Sequence, residues 1–179
     1  TDGWEAGDDG LLFDFLDDAR TQPDTYPDTF ITSGFADGVI SINVLEADDV
    51  ARTATQTALQ ERYRTLLGHF RHESGHNFWS LLSENEKATS LFADLFGDAN
   101  AEYRASLERY YEQVPPADWE QRYISAYASS HPLEDWAETW SHYLLMHDAL
   151  ETARAHHLID TSSSSHALVE RISQWQTVS

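Results

Sequence analysis

Between Gly68 and Trp79 the chain reads GHFRHESGHNFW, which places His69, His72, Glu73 and His76 within eight residues of a sequence that holds nine histidines in all. On a helix turning 100° per residue, with His69 at 0°, His72 falls at about 300°, Glu73 at about 40° and His76 at about 340°. Leu67, Phe70, Phe78 and Leu81 fall between about 100° and 180°. One face of such a helix is imidazole and carboxylate, and the other is apolar.

Histidines at i and i+4 can reach a single ion, and a glutamate between them sits beside that ion without being forced to ligate it. His72-Glu73-Ser74-Gly75-His76 has this His-Glu-x-x-His pattern, and about 0.03 such matches are expected by chance in a chain of this length and composition. The sequence contains no cysteine, so any metal must be held by histidine and carboxylate. One zinc ion on two imidazoles and a carboxylate keeps its fourth position for a water, whose pKa it lowers towards neutrality. Glu73 would then accept the water's proton and return it to a leaving amine. The competing reading is a buried amphipathic helix whose histidines bond to neighbouring groups, and a third ligand decides between the two.

The segment NFWSLLSENEK after His76 has no glycine followed by histidine, which excludes the metzincin continuation. A later segment, YASSHPLEDWAETWSHYL, carries Glu134 and Glu138 one turn apart, with Trp136, Trp140 and Tyr143 on the opposite side. Carboxylates on an otherwise aromatic helix call for a compensating charge. Zinc with its two histidines supplies one, with Glu134 as ligand and Glu138 accepting a hydrogen bond from a ligand histidine's second nitrogen. The spacing leaves open which of the two glutamates ligates, and exposed carboxylates on a solvated face would show the same pattern.

The blocks GVISINVLEADDVAR, YRTLLGHFRHESGHNFW, LFGDANAEYRASLERYY and PPADWEQRYISAYASSHPLEDWAETWSHYL resemble the bacterial zinc-binding metallopeptidases of unassigned subtype, over about residues 30 to 155. That resemblance implies a gluzincin-type peptidase, with two histidines on one helix and a glutamate on a later one. A more distant likeness, Tyr127 followed seven residues later by Glu134 and then by Ala137-Glu138, is similar to the anthrax lethal factor and Pro-Pro endopeptidase clan. It implies Glu134 as the zinc ligand and Tyr127 as a hydrogen-bond donor to the oxyanion; core packing is the plain alternative for Tyr127. Family members often carry an N-terminal zinc ribbon and continue past the catalytic helices. This sequence has no cysteine for a ribbon and closes on DTSSSSHALVERISQWQTVS, so its substrate-binding parts are expected to differ.

His69 leans towards the face of His72 and is expected behind the ligands or against substrate. His131 and His142 flank Glu134 along the chain as candidate proton donors or substitute ligands, and His147, His156, His157 and His166 have no assigned part. The segment GVISINVLE alternates Ile40, Ile42 and Val44 against Val39, Ser41, Asn43 and Leu45, the period-2 pattern of a strand. Gluzincins pair an edge strand with extended substrate, so Val39, Ile40, Ser41 and Ile42 are candidate substrate-binding residues, with packing as the equal alternative.

These groups need a frame. A helix from about Tyr63 to Leu82 would carry the histidines, Asp48 or Asp49 caps a helix before it, and Pro115-Pro116 stops another that contains Tyr103. Pro132 opens the helix of Glu134. LLFDFLDDAR suggests a short amphipathic helix inside an otherwise irregular lead-in, 1–38. The expected fold class is α+β, mostly helical: a zincin-like domain over 1–160 with a small sheet, then a Ser-rich linker and amphipathic tail at 161–179.

The formal charge is −20, with ten arginines and one lysine against 31 acids. Such a surface repels phosphate backbones and anionic lipid, so no nucleic-acid or membrane partner is expected. No apolar run approaches the roughly 20 residues of a membrane span, and the first residues lack a signal peptide's pattern. A bacterial cytoplasmic setting is the expectation, and secretion after leader cleavage would leave the same start. The function expected is peptide-bond hydrolysis with one Zn2+, on a peptide or protein substrate. The rivals are a non-catalytic zinc-binding sensor or partner-binding module on the same fold, and a hydrolase of a non-peptide amide.

Overall fold

A computed structural model describes residues 10–26, 28–59 and 65–159. Its contacts divide the chain into two units, Thr1–Trp140 and Ser141–Ser179. The expected linker and tail at 161–179 lie outside the described residues, as does the expected helix start at Tyr63.

The first unit is α+β and mostly helical, with a small three-stranded sheet. Its strands are Leu12–Leu16 (β1), Gly34–Ala36 (β2) and Val39–Asn43 (β3), in the order β1-β3-β2. β2 and β3 form an antiparallel hairpin closed by Asp37 and Gly38, whose φ values of 49° and 80° are those of a tight Asp-Gly turn. Ile40 and Ile42 are buried under the sheet with Leu11, and Phe35, Leu66 and Phe70 pack against them.

Two expectations are corrected here. LLFDFLDDAR does not form a helix: its first half is β1, paired in parallel with β3 so that Phe13 lies opposite Ile40 and Phe15 opposite Ile42. A helix would turn Phe13 and Phe15 about 200° apart, whereas a strand points both to one side; both rings approach Phe70, at 5.8 and 6.1 Å between centroids. The second correction concerns Val39, Ile40, Ser41 and Ile42 as a substrate-pairing edge. β3 is the central strand, paired with β1 along Val39–Asn43 on one side and with β2 at Val39, Ile40 and Ser41 on the other, so it is not the edge strand expected there.

The segment between β1 and β2 is irregular but anchored. Asp18 is fully buried and accepts hydrogen bonds from Arg20 (Nη2 at 2.5 Å), from the Ile31 amide (3.0 Å) and from Asn43 Nδ2 (2.7 Å) at the end of β3.

After the strands, a 3-10 turn Val44–Ala47 leads to α1, Asp49–Leu59, where Asp48 Oδ1 accepts from the Ala51 amide as expected of a cap. The helix α2, Leu66–Leu82, starts at Thr65, whose hydroxyl accepts from the Gly68 amide. Asn85 then caps α3, Glu86–Leu95, a helix the sequence pattern did not single out. α4, Tyr103–Glu112, ends just before Val114-Pro115-Pro116. A single turn, α5 (Trp119–Arg122), and a 3-10 turn, Tyr127–Ser130, precede α6, Pro132–Ala155.

Aromatic rings join α2, α3 and the first turns of α6. Trp79 packs on Phe92 with its ring tilted by 31°, at 4.0 Å, and Trp136 reaches Trp79, Phe92 and Phe96 at 5.8 to 6.2 Å. In the second unit, the later part of α6 buries Leu150 and Ala153.

Candidate metal centre

Two residues inside the motif decide how closely α2 and α6 meet. A Cβ added to Gly75 would stand 3.1 Å from Ala137 Cα and 3.1 Å from Trp140 Cδ1, so any other residue would press the two helices apart by a few tenths of an ångström. Trp136 Nε1 donates to the Gly75 carbonyl at 2.7 Å, and Trp140 Nε1 donates to Ser74 Oγ at 3.0 Å. The aromatic residues of α6 therefore grip the variable positions of His-Glu-x-x-His, while its carboxylates reach the histidines one turn away.

At that point three basic atoms converge. His72 Nε2 lies 3.0 Å from Glu134 Oε2, His76 Nε2 lies 3.3 Å from His72 Nε2, and His76 Nε2 lies 3.5 Å from Glu134 Oε1. Four donors at about 2.1 Å around a tetrahedral zinc stand about 3.4 Å from one another. Each separation is close to such an edge, although His72 and His76 approach different oxygens of Glu134, and among the described residues His72, His76 and Glu134 form a group able to hold one ion. The donor set, two imidazoles and a carboxylate, suits zinc as well.

Glu138 Oε1 is 2.8 Å from His72 Nδ1, the second nitrogen of that ring. A proton on Nδ1, donated to Glu138, leaves Nε2 free to ligate. In the metal-free protein burial opposes the imidazolium, but Glu134 and Glu138 on its two nitrogens outweigh burial and raise His72 well above the ordinary histidine value.

The carboxylates of the centre are driven apart. Glu134 is 1% exposed; burial disfavours its charge, yet hydrogen bonds to His72 and His76 hold it well below the usual carboxylate range. Glu73 is also buried, at 8%, but burial dominates there and raises its pKa, with the neighbouring imidazoles only partly offsetting it. One glutamate is kept as an anion, and the other is poised to take up a proton.

Tyr127 lies beside the centre, its ring 6.0 Å from that of His72. Burial, with Glu134 and Tyr111 nearby, pushes its phenol far above the ordinary value, so at neutral pH it is a donor. His69 Nδ1 lies 3.4 Å from Glu46 Oε2, a contact directed to the turn after β3 rather than to the other histidines of the motif. His131 is neither a proton donor to substrate nor a substitute ligand. Its Nδ1 accepts from the Leu133 amide and its Nε2 donates to the Ala101 carbonyl, each at 3.0 Å, so it caps α6. His142 belongs to the second unit, and His147 Nδ1 lies 3.5 Å from Asp148 there.

The sequence reading missed Tyr103. Its hydroxyl donates to Glu134 Oε1 at 2.5 Å from the first turn of α4. The signal available was Tyr103 and Tyr110, seven residues apart on one helix face, but nothing in the spacing said which helix that face would meet.

Among the described residues no helix is long and apolar enough to cross a membrane. Three uncharacterized proteins, two from strains of Mycobacterium tuberculosis and one from Mycobacterium bovis, are each 44% identical to the chain over 147 residues, covering 82% of it and 41% of their own length. The chain thus spans about two fifths of these relatives. No solved structure matches it. The family described as "Putative zinc-binding metallo-peptidase" matches residues 2–179, and the convergence of His72, His76 and Glu134 supplies the donors that description requires. The chain belongs to this zinc-binding metallo-peptidase family.

Proposed function

We propose that the chain hydrolyses peptide bonds, with one zinc held by His72, His76 and Glu134 and with Glu73 as general base. The observation that carries this reading is a buried carboxylate, Glu73, next to His72 on α2 and beside three convergent ligand atoms. A structural zinc would need no such neighbour. Zinc bound there would polarise the scissile carbonyl and lower the pKa of a water towards neutrality.

The chain's own groups supply the rest. Glu73 accepts a proton from the attacking water and delivers it to the departing amine, a transfer its raised pKa suits. Glu138 fixes the tautomer of His72. Tyr127, protonated at neutral pH, donates to the oxyanion of the tetrahedral intermediate, the role implied by the likeness to the lethal factor clan. The substrate is an extended peptide or a protein loop; the acidic surface disfavours nucleic acid and anionic lipid as partners.

Glu73→Gln tests the proposal. With a mixed peptide library the variant is expected to lose about 10²–10⁴-fold in cleavage rate while retaining its zinc. Zinc binding by the wild-type chain with no cleavage of any peptide would favour a sensor instead. Equal cleavage by both proteins would remove Glu73 from the chemistry.

A further inference from the structure

We infer that Tyr103 is a positioning residue of the metal centre, which holds Glu134 so that one carboxylate oxygen, Oε2, is presented to the ion. The inference rests on the zinc site proposed above and adds a group that neither the motif nor the family resemblance assigns.

The two oxygens of Glu134 have different neighbours. Oε2 faces His72 Nε2 at 3.0 Å, whereas Oε1 accepts the Tyr103 hydroxyl at 2.5 Å and stands farther, 3.5 Å, from His76 Nε2. A carboxylate that ligates through both oxygens occupies two places and crowds out the water. A phenol donating to Oε1 draws electron density from that oxygen, leaving Oε2 the better ligand and the fourth position open.

The placement of Tyr103 is itself enforced. Its ring meets the His131 ring edge-on, at 5.0 Å and 73°. His131 is buried and bridges two backbones, donating to Ala101 just before α4 and accepting from Leu133 in the first turn of α6. The Glu134 and Asp135 amides in turn donate to the His131 carbonyl, each at 3.0 Å. One buried imidazole thus sets the start of the helix bearing Tyr103 in register with the start of the helix bearing Glu134. Tyr103 itself is 41% exposed, so removing its hydroxyl deletes a directed hydrogen bond and little packing.

The test is Tyr103→Phe in the whole chain, read by zinc competition against a chromophoric chelator, by the visible spectrum of the cobalt(II)-substituted protein, and by the unfolding midpoint after metal removal. The expected result is zinc affinity weaker by about 10–100-fold, cobalt bands of lower intensity as coordination rises above four, and a metal-free protein that still unfolds in one cooperative transition, its midpoint lowered by the loss of a single hydrogen bond. A zinc constant and cobalt spectrum unchanged from wild type would overturn the inference. So would a weaker zinc constant with the cobalt spectrum unchanged, which assigns the residue to general stability rather than to the coordination of Glu134. A wild-type chain that takes up no zinc overturns the site itself and is recognised before any variant is compared.

Discussion

Asp18, in the irregular segment between β1 and β2, and Glu134, in the first turn of α6, are both buried carboxylates held well below their usual pKa, but by different partners. Asp18 is met by donors: the Arg20 guanidinium, the Asn43 amide and the backbone of Arg20 and Ile31. Its charge is answered from within the chain, and nothing further is needed. Glu134 accepts one hydroxyl, that of Tyr103, and otherwise meets His72 and His76, whose ring nitrogens also approach one another at 3.3 Å. Two imidazole nitrogens and a carboxylate that converge on one point are a donor set a cation can occupy, which the surroundings of Asp18 are not. Burial alone therefore does not mark a functional carboxylate; the nature of its partners does.

Substitutions that strike one centre and spare the other would sharpen or break this contrast. The largest effect is expected from Gly75→Val, whose Cβ meets Ala137 Cα and Trp140 at 3.1 Å. Helix propensity favours leaving glycine by a few tenths of a kcal/mol, but overpacking against backbone costs about 1–3 kcal/mol, so the variant loses stability on balance. As α2 and α6 part, His72 and His76 also draw away from Glu134, and zinc affinity falls together with the unfolding midpoint. Unaltered zinc affinity in a folded Gly75→Val protein would show that the helix contact does not set the centre.

A smaller effect, on stability alone, is expected from Asp18→Asn. The unfolding midpoint drops by several degrees, while zinc bound per folded chain stays at the wild-type value. The same contact gives a pH dependence. The hydrogen bonds from Arg20 outweigh burial and lower the Asp18 pKa beneath its ordinary 3.8, so its contribution is fully present above that value. It is lost as pH falls from there through the folded-state pKa. Wild type minus Asp18→Asn in acid titrations of stability should therefore shrink below about pH 4; a difference that persists undiminished would mean that charge is not what Asp18 contributes.

The chain's pattern shows these two regions unequally. His72, Glu73 and His76 are readable because a helix converts spacing into a shared face, and the same rule puts Glu134 beside Glu138. The pairing of those two faces follows once a metal is supposed. Gly75 is legible only as a motif position, and its steric role needs Ala137 and Trp140 in place. Tyr103 reaches Glu134 across 31 residues, a contact that no local period encodes. β1 misleads for the same reason: LLFDFLDDAR has a weak helical pattern, and its pairing with β3 some 27 residues later overrides it. The middle position of β3 also depends on β1, so the strand that looked available to substrate has neighbours on both sides. What periodicity encodes is legible; what a distant partner imposes is not.

The central claim is that His72, His76 and Glu134 hold one zinc, and its most direct test is metal content after equilibrium dialysis of the wild-type chain and His76→Ala against limiting zinc. The wild type should retain one zinc per chain and the variant close to none, with the metal-free unfolding transitions of both cooperative. One zinc per chain retained by His76→Ala, or none by the wild type, would contradict the assignment.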